Sequence, residues 1–430
     1  MKVAIKTLGC RVNQAESDIL AALLKSEKIS LIDFEDQADC YIINSCAVTK
    51  ISEKKTRQWV NRALRKNEKS QVILIGCYST LYSYHSPSPS PRLHIIDSPL
   101  KIKKVLEKLD IPWDNSSLSE IIPETKRARV WLKIEDGCDH FCHYCIVPYL
   151  RGKVRSEEPE KIIRQVIHLE RKGVQEIVLC GINLGMFGKE RENTNLIELL
   201  ENLVRVTNVV RYRLSSIEPF LIDKEFLDRY FSLIPRACPH FHLPLQSGSD
   251  EILLKMGRGY TTQFYRELVS SIRKYDNEVA ISTDIIVGFP GESEKLFTET
   301  VEFCQEIGFS RAHVFVYSPR PLTPASQWDE SEGVPSTIKK DREAKLLKII
   351  RDGQLIYYRS FIGKTLSVLV ESVNGNQDVT GYSENYIPVH SDGIEVADYG
   401  RIIPVFINRE QNGILLGKII QNRKSVIDSH

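Results

Sequence analysis

The feature that most constrains the fold of this 430-residue chain is a sixfold alternation of apolar strand-like segments with helical segments, beginning at Val130. The predicted strands are Val130–Glu135, Glu176–Cys180, Arg211–Ser215, Phe241–Leu245, Val279–Val287 and Ala312–Tyr317. Strands that alternate with helices form parallel sheets. Six units are fewer than the eight of a closed β/α barrel, so we predict a partial (β/α)6 barrel with its chemistry at the carboxyl ends of the strands.

Two other patterns flank this barrel and give an α/β chain of several domains. Residues 1–115 alternate short strands with helices, which predicts an open parallel α/β domain. The barrel domain is predicted over 125–335 and a charged helical connector over 336–360. Short strands separated by turn residues over 361–425 predict a small antiparallel β-barrel.

Composition restricts where the chain works. It has ten cysteines, no run of about 18 apolar residues, and an N-terminus that enters a strand directly. We therefore expect no membrane partner and a cytoplasmic location. In a reducing compartment, cysteines serve metal binding or catalysis more often than disulfides.

Three cysteines are crowded into the segment G-C-D-H-F-C-H-Y-C, Gly137–Cys145, directly after the first barrel strand. Cys138, Cys142 and Cys145 can converge on one metal centre without help from distant residues. Three thiolates hold a four-iron cluster with one iron left open, whereas a structural zinc ion needs a fourth ligand. A zinc site completed by His140 or His143 is the alternative.

A second cysteine set is scattered along the first domain. Cys10, Cys46 and Cys77 each follow a predicted strand. The carboxyl ends of parallel strands line one crevice, so we expect these thiols to meet there and hold a second metal centre. The alternative is that they are inert buried thiols, which is our expectation for Cys40, Cys180, Cys238 and Cys304.

A basic segment follows Cys46. Eight Lys and Arg residues lie between Lys50 and Lys69, against Glu53 and Glu68, with Trp59 among them. Such a surface suits a polyanion such as RNA. A solvated helix face without a ligand is the alternative.

These motifs together resemble the methylthiotransferases of the radical S-adenosylmethionine superfamily, over nearly the whole chain. The resemblance is closest to the branch that modifies N6-threonylcarbamoyladenosine at position 37 of tRNA. It rests on T-L-G-C-R-V-N-Q-A-E-S (Thr7–Ser17), N-S-C-A-V-T (Asn44–Thr49), E-K-K-T-R-Q (Glu53–Gln58), C-G-I-N-L-G-M-F-G (Cys180–Gly188), R-L-S-S-I-E-P (Arg213–Pro219) and H-L-P-L-Q-S-G-S (His242–Ser249). The isopentenyladenosine-tRNA branch, the ribosomal-protein branch and a non-catalytic metal-stabilised RNA-binding protein remain alternatives.

The resemblance implies S-adenosyl-L-methionine, two 4Fe-4S clusters and a C-terminal RNA-binding domain of the TRAM type. The Cys138 set would cleave the cofactor to a 5′-deoxyadenosyl radical, and the Cys10 set would carry the sulfur. The implied partners are the tRNA anticodon loop with adenosine 37, an electron donor such as flavodoxin or ferredoxin, and a sulfur source.

Cofactor contacts are expected where barrel strands end. The candidates are Gly181, Asn183, Ser216, Glu218, Gln246, Ser247, Gly288 and Phe289. Arg151 and Arg155 are candidates for the cofactor carboxylate or an RNA phosphate, with a surface salt bridge as the alternative. Asp284 lies inside an apolar strand, where a carboxylate is costly unless it is paired.

The chain also departs from the family pattern at several places. Cys180, Glu157 and Leu322 replace the usual Thr, Arg and Gly, and a Ser/Pro-rich segment, Ser86–Pro91, predicts an exposed loop. None of these departures removes a cysteine of either set.

Overall fold

The computed structural model describes residues 1–25, 28–85, 90–96, 102–113, 122–123, 127–191, 194–373 and 379–420. Residues 86–89 of the Ser/Pro-rich segment lie outside these ranges, as do the predicted domain boundaries at 115, 125 and 425. Among the described residues, no helix is both long enough and apolar enough to cross a bilayer.

The first domain is a five-stranded, entirely parallel sheet, which agrees with the predicted open α/β domain. Its strands are β1 (Lys2–Thr7), β2 (Ser30–Ile32), β3 (Cys40–Ser45), β4 (Gln71–Gly76) and β5 (Leu93–Ile95). They stand in the order β2-β1-β3-β4-β5. In this doubly wound order, the winding reverses between β1 and β3, and the crevice for ligands opens at their carboxyl ends.

Four described helices cover this sheet: α1 (Arg11–Leu23), α2 (Lys50–Lys66), α3 (Ser79–His85) and α4 (Ile102–Lys108). Cys10 is the N-cap residue of α1, so that helix begins immediately after a candidate ligand. Leu20, Leu23 and Ile42 are among the side chains that form the core between helix and sheet.

The central domain contains all six predicted barrel strands. Its strands are β6 (Arg129–Lys133), β7 (Glu135–Asp136), β8 (Arg155–Ser156), β9 (Glu176–Cys180), β10 (Arg211–Leu214), β11 (His240–His242), β12 (Ala280–Val287) and β13 (Arg311–Val316). Parallel sheets β6-β9-β10 and β11-β12-β13 are joined by parallel bridges at Tyr212–Ala237 and Ser216–His242. The barrel is therefore open between β6 and β13.

The first predicted barrel strand, Val130–Glu135, extends two residues beyond the end of the observed strand β6. Pairing with β9 stops at Lys133, and Glu135–Asp136 pairs instead with Arg155–Ser156 in an antiparallel ribbon. This ribbon forms the base of the loop that carries Cys138, Cys142 and Cys145. The predicted strand Phe241–Leu245 is also shorter, because regular pairing ends at His242.

Helices pack around the outside of the barrel and continue into the connector. They are α5 (Val147–Arg151), α6 (Pro159–Arg171), α7 (Leu196–Val206), α8 (Lys224–Ser232), α9 (Asp250–Lys255), α10 (Thr262–Tyr275), α11 (Glu294–Ile307), α12 (Pro324–Glu332) and α13 (Ser336–Arg359). In α6, the buried positions Ile162, Val166 and Leu169 recur at helical spacing and face the sheet. The connector prediction matches α13.

The third domain is a closed five-stranded barrel in the order β14-β15-β16-β18-β17. Its strands are β14 (Thr365–Val370), β15 (Gly381–Tyr382), β16 (Pro388–Asp392), β17 (Ile402–Gln411) and β18 (Ile414–Ile419). The antiparallel prediction is wrong for one pair: β16 and β18 run parallel. Strand β17 follows β16 in sequence and forms an antiparallel hairpin with β18, but it does not lie between β16 and β18 in the barrel. Strands β16 and β18 are therefore neighbours that run in the same direction.

Buried ion pairs and hydrogen bonds join the three domains. Arg320 of the barrel domain donates to Glu53 of α2 at 2.5 Å and to the carbonyl of Ala47 at 3.0 Å. Arg211 donates to the carbonyl of Ser367 in the third domain at 2.6 Å. Charged groups removed from water in this way need their partners, so the domains hold one another in register.

Candidate active site

The Cys138 loop has a shape fixed by its backbone. The amide of Cys138 donates to the carbonyl of Gly152 at 3.0 Å, and that of Cys145 to the carbonyl of Cys142 at 2.9 Å. Gly137 has φ of 88°, and a Cβ there would collide with the backbone of Lys153. Only glycine fits this close, left-handed approach, so the turn that presents the first thiol depends on it.

Two of the three thiols of this loop are kept in their protonated form by burial. Burial raises the pKa of Cys138 to about 11 and that of Cys145 to about 12. Without a metal, the two groups stay protonated at neutral pH, and a bound cluster has to displace those protons. The guanidinium of Arg258 lies 3.4 Å from the Cys142 sulfur, so positive charge is available for the anionic cluster that the sequence predicts.

The two histidines of the loop do not complete a zinc site with the thiols. His143 Nδ1 lies 2.8 Å from the carbonyl of Lys255, and its ring packs edge-on against Trp328. The ring of His140 packs against Phe220. No three His, Cys, Asp or Glu side chains in the described ranges converge as the ligands of a single ion do. A four-iron cluster binds each thiolate at a different iron and so accommodates more widely spaced ligands.

The second set of thiols meets at the crevice of the first domain. Cys10 follows β1, Cys46 follows β3 and Cys77 follows β4. A Cβ on Gly9, beside Cys10, would lie 2.8 Å from the Cβ of Cys46. The Cys10 thiol lies 3.5 Å from Asn13 Oδ1. The strand order thus brings together residues that are 67 positions apart in sequence, from Cys10 to Cys77.

The remaining cysteines lie in the core, as expected. Cys40, Cys180, Cys238 and Cys304 are all buried. Burial raises the pKa of Cys40 to about 12. They behave as small apolar side chains.

Asn183 and Glu135 line one side of the Cys138 loop. The Asn183 amide group lies 4.0 Å from the Cys138 sulfur, and its backbone N–H donates to Glu135 Oε2 at 2.8 Å. Asn183 Oδ1 and Glu135 Oε1 are buried without a protein partner. Burial raises the pKa of Glu135 to about 8. Orphaned polar atoms beside a thiol set are what a site for a polar cofactor requires.

Glu218, a predicted cofactor contact, lies on another side of the same loop. Its carboxylate pairs with Arg258, with Oε1 3.1 Å from Nη1. That guanidinium is only 2% exposed and also contacts the Cys142 sulfur. Ser216 is half-buried at the bridge to His242. Gln246 adopts a φ of 71° and faces a cavity that includes Cys145.

Four predicted cofactor contacts are engaged with protein groups instead. The Ser247 hydroxyl lies 3.2 Å from that of Thr300 in α11. Gly181 leaves space that Glu135 occupies, and Gly288 does the same for Lys339. Phe289 is fully buried in an apolar cluster. Residues after a strand turn to either side of it, and the sequence does not show which side holds the ligand.

A cavity of about 200 Å³ lies where the first domain meets the Cys138 loop and the barrel. The first domain contributes Val48 and Thr49, which follow Cys46 closely in sequence, while the Cys138 loop contributes Tyr144 and Cys145. The barrel contributes Gln246, Asp284, Ile286, Phe315, Val316, Tyr317, Ser318 and Arg320. One ligand of the first set, Cys145, therefore borders this space, and the segment after Cys46 of the second set reaches it.

Asp284 is paired, as its position requires. His242 Nε2 lies 3.2 Å from one carboxylate oxygen, and His313 Nδ1 lies 3.0 Å from the other. Burial opposes ionisation, but the two imidazoles hold the pKa of Asp284 well below its usual range. Sequence reasoning identified the carboxylate but missed both histidines, whose relevance depends on the adjacency of β11, β12 and β13.

The predicted basic segment is helix α2 and the turn after it. Its exposed cations include Lys50, Lys54, Lys55, Arg65 and Lys69. Thr49, which lines the cavity, caps the helix by accepting from the amide of Ser52 at 3.1 Å. The helix therefore starts at the cavity, and its basic face extends outward from there.

Arg151 has different surroundings from those predicted, whereas Arg155 forms the surface salt bridge given as the alternative, 3.6 Å from Asp136. Arg151 is neither a surface residue nor exposed to the cavity: its side chain is 8% exposed, and Nε lies 3.1 Å from the Cys77 sulfur. Arg155 is 59% exposed.

Of the departures from the family pattern, Glu157 pairs with Lys161 at 2.5 Å, and Leu322 is exposed with φ of 69°.

Comparison with known proteins agrees with this geometry. Residues 132–304 match the Radical SAM superfamily, and residues 2–93 match Uncharacterized protein family UPF0004. The chain is 37% identical to "Threonylcarbamoyladenosine tRNA methylthiotransferase MtaB" of Aquifex aeolicus over 95% of this chain and 100% of that relative. It is 33% identical to "tRNA-2-methylthio-N(6)-dimethylallyladenosine synthase" of Dictyoglomus thermophilum over 98% and 99% of the two chains.

A solved structure adds information on the fold alone. The radical S-adenosylmethionine methyltransferase TsrM from Kitasatospora setae is similar with a TM-score of 0.54 and 14% sequence identity. The similarity covers 76% of this chain and 77% of that one.

Proposed function

The chain belongs to the methylthiotransferases of the radical S-adenosylmethionine superfamily, and from that premise we propose that it methylthiolates C2 of N6-threonylcarbamoyladenosine 37 in tRNA. The observation that carries the proposal is the cavity lined by Cys145 of the first thiol set and by Val48 and Thr49, close after Cys46 of the second. A base inserted there lies between the residues that hold S-adenosyl-L-methionine and those that hold the sulfur-carrying cluster.

The protein groups have distinct tasks in this proposal. Cys138, Cys142 and Cys145 hold one 4Fe-4S cluster, and Cys10, Cys46 and Cys77 hold the other. When bound, the cofactors supply a carbon radical and the sulfur and methyl groups that C2 receives. Asn183 and Glu218 bind the polar parts of S-adenosyl-L-methionine, while the closed walls of the cavity exclude water from the reacting atoms.

RNA is held by two surfaces in the proposal. The basic face of α2 binds phosphates next to the cavity, and the third domain binds the stem or loop through its outer strands. Phe406 and Arg409 are exposed on β17, and small barrels of this kind commonly bind oligonucleotides. An unstacked base then reaches the buried cavity.

The remaining partners follow from the chemistry. A one-electron donor such as flavodoxin or ferredoxin and a source of sulfur are required, because the protein's own side chains supply neither. A tRNA substrate places the enzyme in the cytoplasm.

The decisive test is nucleoside mass spectrometry of tRNA from a strain that lacks this gene and every paralogue. We expect the methylthio derivative of threonylcarbamoyladenosine to disappear, and to return with a wild-type plasmid but not with Cys10→Ala. Because every paralogue is absent from that strain, return of methylthio-isopentenyladenosine instead with the wild-type plasmid would assign the chain to the other tRNA branch.

A metal analysis separates catalysis from structural metal binding. The anaerobically reconstituted protein should contain iron and acid-labile sulfide for two clusters. Zinc without labile sulfide would mean a metal-stabilised RNA-binding protein.

A further inference from the structure

Arg151 occupies a position that the proposed chemistry leaves unexplained. It ends helix α5, which begins two residues after Cys145, yet its side chain reaches the second thiol set. We propose that Arg151 is a positioning residue that raises the reduction potential of the cluster held by Cys10, Cys46 and Cys77. The inference rests on the proposed two-cluster function.

The contact is direct and shielded from water. Arg151 Nε lies 3.1 Å from the Cys77 sulfur, and Nη2 donates to Asn13 Oδ1 at 2.9 Å. The Cys10 thiol donates to the same Asn13 Oδ1, at 3.5 Å. One guanidinium thus contacts one ligand directly and holds the side chain that lies beside a second.

The rest of the guanidinium is held by two carboxylates. Nη1 lies 2.8 Å from Glu16 and 2.9 Å from Asp136. Lys133 contacts the same two carboxylates, at 2.8 and 2.9 Å. Two cations and two anions therefore make a neutral group beside the thiols.

The direction of the effect follows from charge. One-electron reduction adds a negative charge to the cluster, and an N–H donor on a ligating sulfur stabilises the more negative state. Replacing Arg151 removes that donor and leaves Glu16 and Asp136 with one cation. Both changes disfavour reduction, so they act in the same direction.

The test uses the full chain with Cys138, Cys142 and Cys145 all changed to Ala, so that only the second cluster assembles. Its midpoint potential is measured by dithionite titration with electron paramagnetic resonance detection. Arg151→Gln is expected to lower the potential, and Arg151→Lys to lower it less. Lys133→Gln is the matched control, because it removes the same charge from the same group but spares the contact with sulfur.

Four results are informative. A larger shift for Arg151→Gln than for Lys133→Gln supports the proposal. Equal shifts, or none, overturn it, even if the cluster and the tRNA activity are intact. If Arg151→Gln fails to assemble a cluster, the Arg151→Lys value decides: a potential equal to that of the parent variant rejects the proposal. Absence of any second cluster in the parent would instead contradict the two-cluster function.

Discussion

Both thiol sets are candidate cluster sites, but the fold brings the cysteines of each set together in a different way. Cys138, Cys142 and Cys145 lie within eight consecutive positions, on a loop shaped by its own backbone hydrogen bonds. Cys10, Cys46 and Cys77 come from the ends of three different strands. The first set is a local structure attached to the barrel, whereas the second exists only when the parallel sheet has formed.

The surroundings of the two sets also differ in charge. At the first, burial keeps the pKa of Glu135 near 8, and the carboxyl is neutral at pH 7. At the second, Glu16 stays ionised because Lys133 and Arg151 lower its pKa against the effect of burial. The second set, which is assembled from distant residues, therefore also has electrostatic partners from another domain, because Lys133 and Arg151 belong to the barrel.

The largest expected effect comes from removing ligands. Ala at Cys138, Cys142 or Cys145 should abolish cleavage of S-adenosyl-L-methionine, because no cluster remains to reduce it. Ala at Cys10, Cys46 or Cys77 should spare cleavage and abolish methylthiolation. Chromatography of 5′-deoxyadenosine and of the tRNA nucleosides measures both activities.

The control for those variants is Cys304→Ala, which changes a buried cysteine in α11 that belongs to neither set. It should retain both activities. Loss of cleavage in folded variants of both sets would contradict the division of roles.

The next largest effect should come from the bond between domains. Arg320 and Glu53 are 3% and 7% exposed, and Arg320 also holds the carbonyl beside Cys46. Glu53→Gln leaves a buried guanidinium without its carboxylate, which costs about 3–5 kcal/mol. We expect denaturant unfolding to show this loss, and iron analysis to show lower occupancy of the second cluster than of the first.

The matched control is Glu35→Gln, which breaks a pair with Arg62 in which both side chains are about half exposed. Such exposed pairs contribute about 0–1 kcal/mol. Equal losses of iron from both clusters in Glu53→Gln would mean that the second set does not depend specifically on domain packing.

A smaller effect is expected from the basic face of α2, which begins four residues after Cys46 of the second set. The triple change Lys54→Gln, Lys55→Gln and Arg65→Gln should weaken tRNA binding and reduce its dependence on log salt concentration by up to about 3, or about 1 per phosphate contact. Cofactor cleavage without tRNA should be unchanged.

Lys340→Gln, Lys345→Gln and Lys348→Gln on α13 remove the same charge from another exposed surface. Filter binding over a range of salt concentrations compares the two triple variants. Equal weakening would show that net charge, and not the position of α2, governs the affinity for tRNA.

A further expected effect is a pH dependence of the free energy of unfolding at the first set. Glu135 has a folded pKa of about 8, above the value of about 4.3 for an unfolded chain. The folded state then binds the extra proton, so stability falls as pH rises from about 4.3 to about 8 and levels off above it, with a slope of at most about 1.4 kcal/mol per pH unit.

Glu135→Gln should lack this contribution. Unfolding by denaturant from pH 5 to 9, in protein without clusters, compares the variant with the wild type. Parallel stability curves would show that Glu135 is ionised in the folded protein and that its environment is like that of the second set.

Much of the fold was accessible from the sequence because its signals are local. All six barrel strands and the parallel first sheet follow from apolar segments of the right length. The failures have physical causes: the direction of β18 relative to β16 depends on a pairing between distant segments. Glu135 does not pair within the predicted strand. It pairs instead with Ser156, which follows the cysteine loop in sequence.

The predictions for the candidate site show the same difference between local sequence signals and contacts between distant residues. The sequence by itself determined the two thiol sets, because cysteine spacing and strand ends are visible in one dimension. Only the tertiary structure decided that Arg151 reaches Cys77, that His242 and His313 pair with Asp284, and that Phe289 lies in the core. Those outcomes depend on which strands are neighbours and which way each turn directs a side chain, and both are set by packing between residues far apart in the chain.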